Sequence, residues 1–123
     1  MQQRIGRSQW SLVFLALMLA AFWCGVSGTS TPKVSEIGLA EGKALVDAGV
    51  TVIDVRSAEA FGHRHIPGAI NIPITVLRAT IPASIAALKS QQVVVYCNDG
   101  VRTGPEATHI LNKAGFSHAA NLT

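Results

Sequence analysis

Two short runs of β-branched residues constrain the fold of this chain more than any other feature. One is VTVIDV at residues 50–55, and the other is QVVVYC at residues 92–97. Each run is apolar with little alternation and then gives way to polar residues, which is typical of strands buried on both faces. Such strands occur in parallel sheets that helices cover on both sides. The two runs therefore predict an α/β fold with a mainly parallel sheet.

Helical patterns lie between and around these runs, as a parallel sheet requires. Pro82 divides one helical region in two, and Gly115 marks the end of the last helix;. No repeat or low-complexity tract interrupts this order, so one α/β domain is predicted. We expect helices at Ser35–Ala48, residues 74–89 and residues 104–116, further short strands at Ala69–Ile72 and residues 118–122, and a turn region after residue 55.

An apolar block near the N-terminus stands apart from this domain. It occupies residues 10–26, Arg4 and Arg7 precede it, and the small residues SGTS follow. This is the plan of a secretory signal, with cleavage expected between Gly28 and Thr29. An uncleaved anchor is the alternative, because the 17 residues of the block are close to the shortest length that spans a bilayer;. The two arginines keep the N-terminus in the cytoplasm, so the remaining chain faces outward in either case.

The charge balance gives no support to nucleic-acid binding. Ten Lys and Arg oppose seven Asp and Glu, two of the arginines lie in the leader, and no basic run is interleaved with aromatic residues;. We predict a signal peptide or membrane anchor at residues 1–28, a linker at 29–34 and a domain at 35–123. The domain is expected to be periplasmic or exported and monomeric, with membrane contact only through residues 10–26 if the leader is kept.

Cys97 is the one cysteine of the predicted exported domain, because Cys24 lies in the leader. A lone thiol in an oxidising compartment cannot form a disulfide within its own chain. One interpretation is a small hydrophobic residue that ends a buried strand. The other interpretation is a residue kept for its reactivity.

The loop after Cys97 favours the second interpretation. In VVVYCNDGVRTG, residues 93–104, the cysteine is followed by Gly100, Arg102 and the start of a helix. Helix N-termini stabilise anions, and a glycine lets successive N–H groups converge. The Arg102 guanidinium adds a permanent positive charge suited to oxyanions. The loop therefore predicts a nucleophilic thiolate in a cradle for anions.

These stretches resemble the single-domain rhodaneses, a family of sulfurtransferases, and in particular the small periplasmic rhodaneses of bacteria. The match covers VIDVRSAEAFGHRHIPGAINIP at residues 52–73, the cysteine loop and the following ILNKAGF. The resemblance implies a three-layer domain in which Cys97 takes a sulfane sulfur from thiosulfate or a similar small anionic donor. The resulting persulfide passes the sulfur to cyanide or a thiol, and no cofactor takes part. The loop residues that hold the persulfide would be Asn98, Asp99, Gly100, Val101, Arg102 and Thr103.

The length of the loop separates this chemistry from phosphate chemistry. Four residues lie between Cys97 and Arg102, as in rhodaneses. Tyrosine and dual-specificity phosphatases and related arsenate reductases have one residue more, so the shorter ring is suited to sulfur. A non-catalytic rhodanese-like module that carries sulfur or binds a partner is the second hypothesis, and a phosphatase or arsenate reductase is the third.

A second group of residues matches the family's Asp-x-Arg and the Glu that follows it. Asp54, Arg56 and Glu59 occupy these positions, and we expect an Arg56–Glu59 ion pair;. We interpret them as scaffold for the active loop, together with His65 in a structural turn. No metal site is expected, because no known ligand spacing is matched by His63, His65, His109 and His118;.

The chain departs from the family at two places. Asp99 puts a negative charge into a loop meant for anions, which weakens the case for thiosulfate as the donor. The sequence also stops at NLT, where the family usually continues with a Gly-Gly turn and a last helix. We therefore expect one side of the sheet to be less covered.

Overall fold

The computed structural model describes residues 34–123. The predicted leader lies outside the described residues, as does all of the linker except Val34. No helix within residues 34–123 has both the length and the apolar character to cross a membrane. The elements in chain order are β1 Ser35–Ile37, α1 Leu39–Asp47, β2 Thr51–Asp54, α2 Ala58–His63, β3 Ile70–Asn71, α3 Ile74–Ala79, a 3₁₀ helix Ala83–Leu88, β4 Val93–Tyr96, α4 Thr103–Lys113 and β5 Ala119–Leu122.

The five described strands form one sheet in the order β1-β5-β4-β2-β3. Every neighbouring pair is parallel, which confirms the predicted sheet. The two β-branched runs become β2 and β4, which lie side by side with Asp54 opposite Tyr96. All four residues of β4 are buried. The residues that follow these two strands therefore meet at the carboxyl edge of the sheet.

Helices pack on both faces of the sheet, so the predicted three-layer α/β architecture is confirmed. One face carries Ile53 and Val95 and packs against α3, the 3₁₀ helix and α4. The other face carries Val52 and Val94 and packs against α1. An apolar groove remains open beside α1, lined in part by Leu39, Gly42, Val46, Ile66 and Leu122.

Two predictions of secondary structure are wrong. The helix expected over Ser35–Ala48 begins only at Leu39, because Ser35–Ile37 pairs with β5 as an edge strand. The expected turn region contains the helix α2, and the Ser57 hydroxyl caps its first turn by accepting the Ala60 N–H at 3.2 Å;. Both errors concern elements of three to six residues, in which tertiary pairing and capping outweigh hydrophobic periodicity;.

Candidate active site

Cys97 lies directly after β4, at the carboxyl edge of the sheet, and is half-buried. The Gly100 N–H donates to its Sγ at 3.2 Å. Gly100 can present this amide because it has a φ of +70°, in the left-handed region that glycine tolerates;. Among the predicted loop residues, Gly100 is therefore the one whose amide reaches the sulfur in this state.

Asp99 lies within the same loop, against the sulfur. Its Oδ1 accepts the Val101 N–H at 3.0 Å and lies 3.5 Å from Cys97 Sγ. The hydrogen bond from Val101, followed by that from the Cys97 thiol, lowers the pKa of Asp99 below its ordinary value. The loop therefore holds an ionised carboxylate of its own, and the Val101 amide is bound to this carboxylate.

The other predicted loop residues form the rim of the site. Asn98, Val101 and Arg102 are exposed, and Thr103 is half-buried as the first residue of α4. Within residues 34–123, Arg102 forms no ion pair. The charged group nearest the sulfur by hydrogen-bond contact is thus the carboxylate and not the guanidinium.

Asn121 stabilises the loop through a hydrogen bond and was not predicted from the sequence. It is fully buried in β5, opposite Val95, and its Nδ2 donates to the Gly100 carbonyl oxygen at 2.7 Å. This bond turns the Gly100 carbonyl toward β5 and leaves the Gly100 amide for the sulfur. A polar residue inside the apolar stretch HAANL was the available signal in the sequence.

Gly104 provides the space in which these groups meet. A Cβ on Gly104 would overlap Asn121 Oδ1 and would lie 3.3 Å from Cys97 Sγ. Asn121 Oδ1 is itself buried without a hydrogen-bond partner among the described residues. The start of α4 can therefore approach the thiol and β5 only with glycine at this position.

Asp54 forms a buried network with Arg56 and Tyr96, and not the expected Arg56–Glu59 pair. Arg56 Nη2 and Nε donate to Asp54 Oδ2 at 2.7 and 3.1 Å, and the Tyr96 hydroxyl donates to the same oxygen at 2.5 Å. Glu59 instead lies 3.8 Å from His63 on the exposed side of α2. The prediction of an Arg56–Glu59 pair is wrong because Asp54 is buried beside Arg56, whereas Glu59 remains in water.

The network extends to the backbone around the site. Arg56 Nη2 also donates to the Arg64 carbonyl oxygen at 2.5 Å, and the Ile66 N–H donates to the Tyr96 hydroxyl at 3.1 Å. Burial opposes ionisation of Asp54, but the hydrogen bonds from Arg56 and Tyr96 outweigh it and hold the pKa below 3.8;. Burial, together with the bond to Asp54, raises the pKa of Tyr96 above 10.0.

His65 has a local structural contact. Its ring stacks on Phe61 with centroids 3.8 Å apart, and its Nδ1 lies 2.8 Å from the Phe61 carbonyl oxygen. Within the part of the chain that the structure describes, no three His, Cys, Asp or Glu side chains are grouped so that they could hold a metal ion.

The family model for the rhodanese-like domain matches residues 39–123. This chain belongs to the rhodanese-like family, which confirms the resemblance drawn from its motifs.

Sulfurtransferases are among the curated relatives of this chain. Thiosulfate sulfurtransferase PspE of Escherichia coli is 39% identical over 69 residues, which cover 56% of this chain and 64% of that protein, or slightly less than two thirds of its length. Human thiosulfate:glutathione sulfurtransferase is 33% identical over 97 residues, which cover 69% of this chain and 84% of that protein.

The solved structure of human single-domain sulfurtransferase TSTD1 has the same fold. It superposes with a TM-score of 0.59 at 30% identity and covers 73% of this chain and 89% of that chain. Together, the family and its relatives support sulfur transfer as the general activity.

Proposed function

We propose that this protein is a sulfurtransferase in which Cys97 carries the transferred sulfur as a persulfide. The observation that carries the proposal is the Gly100 N–H aimed at Cys97 Sγ at 3.2 Å in a rhodanese-like domain. A backbone amide directed at the sulfur can donate to negative charge that develops there when an S–S bond forms or breaks. The half-buried position of Cys97 leaves the sulfur accessible to small molecules.

The reaction has two displacements at sulfur. The Cys97 thiolate attacks the sulfane sulfur of the donor, a new S–S bond forms, and the donor's own bond to that sulfur breaks. With thiosulfate the leaving group is sulfite. An acceptor thiolate or cyanide then attacks the outer sulfur of the persulfide, and the electron pair of the S–S bond returns to Cys97.

We assign two different roles to the predicted site residues. The loop residues 98–103 surround the donor and the persulfide, with Gly100 as an amide donor and Arg102 as an exposed positive charge at the rim. Asp54 and Arg56 fix the neighbouring strand end and do not touch the reacting atoms. Glu59 and His65 contribute contacts around α2 only.

We also propose that the domain at residues 35–123 acts outside the cytoplasm, behind a leader at residues 1–28. The support is the order of Arg4 and Arg7, an apolar block and small residues in the sequence;. The intact mass of the protein recovered from the periplasm of cells that express the full chain tests this proposal. Loss of the leader is expected, and recovery of the full mass from the membrane would instead show an anchor.

The catalytic proposal is tested by mass spectrometry and turnover. Thiosulfate, or a persulfide that reacts faster, is expected to add about 32 Da to the wild type, and this mass should disappear on addition of cyanide or a thiol. Cys97→Ser should neither gain the mass nor form thiocyanate. Thiocyanate formation that survives Cys97→Ser contradicts the proposal, and loading without turnover would favour a sulfur carrier.

A further inference from the structure

The cradle around Cys97 already contains an anion. Asp99 Oδ1 accepts the Val101 N–H and contacts Cys97 Sγ. The carboxylate therefore lies where the anionic part of a donor would have to bind. Asp99 Oδ2 accepts no hydrogen bond from residues 34–123, and the side chain is exposed. One carboxylate oxygen is therefore bound into the loop, and the other remains available to a ligand.

The positive groups of the site do not neutralise this charge by contact. Arg102 is exposed and makes no ion pair with any residue in the described part of the chain. The Gly100 amide is directed at the sulfur and not at the carboxylate. A donor that approaches Sγ therefore meets a full negative charge at contact distance.

We infer that Asp99 selects the sulfur donor by charge, and that the preferred donor is an organic persulfide with an ammonium group near its sulfur. This inference rests on the proposed function of Cys97. The carboxylate repels dianionic thiosulfate and accepts a hydrogen bond from the ammonium group of an aminothiol persulfide. Like charges a few ångströms apart at a partly exposed site are expected to change loading rates by about tenfold per unit of donor charge.

The transfer step balances for such a donor. The Cys97 thiol first loses its proton to solvent. The thiolate then attacks the outer sulfur of the protonated persulfide R–S–SH. A new S–S bond forms between Cys97 and this sulfur, and the S–S bond of the donor breaks. The electron pair leaves with the thiolate RS⁻, and the hydrogen stays on the transferred sulfur. No oxidant or reductant is consumed.

A charge series of donors tests the inference. The persulfides of cysteamine, mercaptoethanol and mercaptopropionate share a two-carbon chain and end in an ammonium, a hydroxyl and a carboxylate group. Their second-order rates of loading Cys97, together with the rate for thiosulfate, are measured from the gain of about 32 Da. In the wild type the loading rates of the three persulfides are expected to fall in the order ammonium, hydroxyl, carboxylate. For each donor the rate on the wild type is also divided by the rate on Asp99→Asn, and this ratio should be smallest for thiosulfate.

The variant Asp99→Asn keeps an oxygen for the Val101 N–H but removes the charge. It should load thiosulfate up to about a hundredfold faster, because thiosulfate carries two negative charges, and it should lose the preference for the ammonium donor. Asp47→Asn is the matched control, because it removes one exposed carboxylate from the end of α1. This control should keep the wild-type order, and circular dichroism should show that both variants are folded.

The outcomes separate the inference from the proposed function. Equal rates for the donor series in wild type and Asp99→Asn overturn the selection by charge and leave the sulfurtransferase intact. A wild type that prefers thiosulfate as strongly as Asp99→Asn also overturns it. Failure of all four donors to load Cys97 overturns the proposed function and the inference together.

Discussion

The Cys97 loop and the Asp54–Arg56–Tyr96 network lie at the carboxyl ends of neighbouring parallel strands, but their carboxylates differ in burial and in hydrogen bonding. Asp54 is 0% exposed, and its carboxylate accepts hydrogen bonds from both Arg56 and Tyr96. Asp99 is exposed and keeps one carboxylate oxygen free of partners within residues 34–123. The fully partnered carboxylate stabilises the edge of the sheet, and the partly partnered carboxylate can accept a further hydrogen bond.

Two sets of hydrogen bonds hold this edge of the sheet. Tyr96 belongs to the network and is the last residue of β4, so the network holds the strand end that precedes the loop. Asn121 then fixes the loop itself through the Gly100 carbonyl group. The thiol is the group that neither support covers. Three predictions test this division of roles, in order of decreasing effect.

Asp54→Ala should cause the largest loss of stability. The substitution leaves the Arg56 guanidinium and the Tyr96 hydroxyl without their buried acceptor, and the free energy of unfolding should fall by about 3–5 kcal/mol. Urea unfolding at neutral pH measures it. Tyr96→Phe should lower the free energy of unfolding less, by about 1–3 kcal/mol. For both variants the rate at which Cys97 reacts, per folded molecule, should stay within about twofold of the wild type. A larger fall would show that the network also governs reactivity.

Gly104→Ala should affect the rate of sulfur loading of Cys97 more than the stability of the fold. The added Cβ would overlap Asn121 Oδ1 beside Cys97 Sγ, so the loop or β5 must shift at an expected cost of about 1–3 kcal/mol;. A displacement of this kind should slow sulfur loading of Cys97 by about tenfold to a hundredfold. Gly62→Ala is the matched control, because no atom lies within 4 Å of its Cβ position in α2. An unchanged loading rate in Gly104→Ala would contradict the tight packing between α4 and the thiol.

The smallest effect is expected at the ends of the pH range. Asp54 has a lowered pKa, so its contribution to stability is present above the unfolded value of about 3.9 and is lost as pH falls through the lower folded value;. Tyr96 has a raised pKa, so its contribution is present below the unfolded value of about 10 and is lost as pH rises through the folded value;. Thermal unfolding across the pH range should show a flatter acid limb for Asp54→Asn and a flatter alkaline limb for Tyr96→Phe. Limbs parallel to those of the wild type would show that the network does not couple to these protons.

Local patterns predicted the elements that are long or strongly apolar. The β-branched runs fixed β2 and β4, and the glycine and the helix start after Cys97 indicated the loop. β1 was missed because three residues carry no usable periodicity, and its strand character comes from pairing with β5. Asn121 was missed because its partner, the Gly100 carbonyl group, lies 21 positions earlier in the chain.

The sequence by itself determined the α/β class, the parallel sheet and the position of Cys97 before a glycine-bearing loop. These features follow from local hydrophobicity and backbone preference, which each segment carries with it. Only the tertiary structure decided that Arg56 pairs with Asp54 and that Asn121 holds the loop. It also decided that the Asp99 carboxylate, and not Arg102, touches the sulfur. Those contacts depend on which groups are buried together, and burial is a property of the folded chain as a whole.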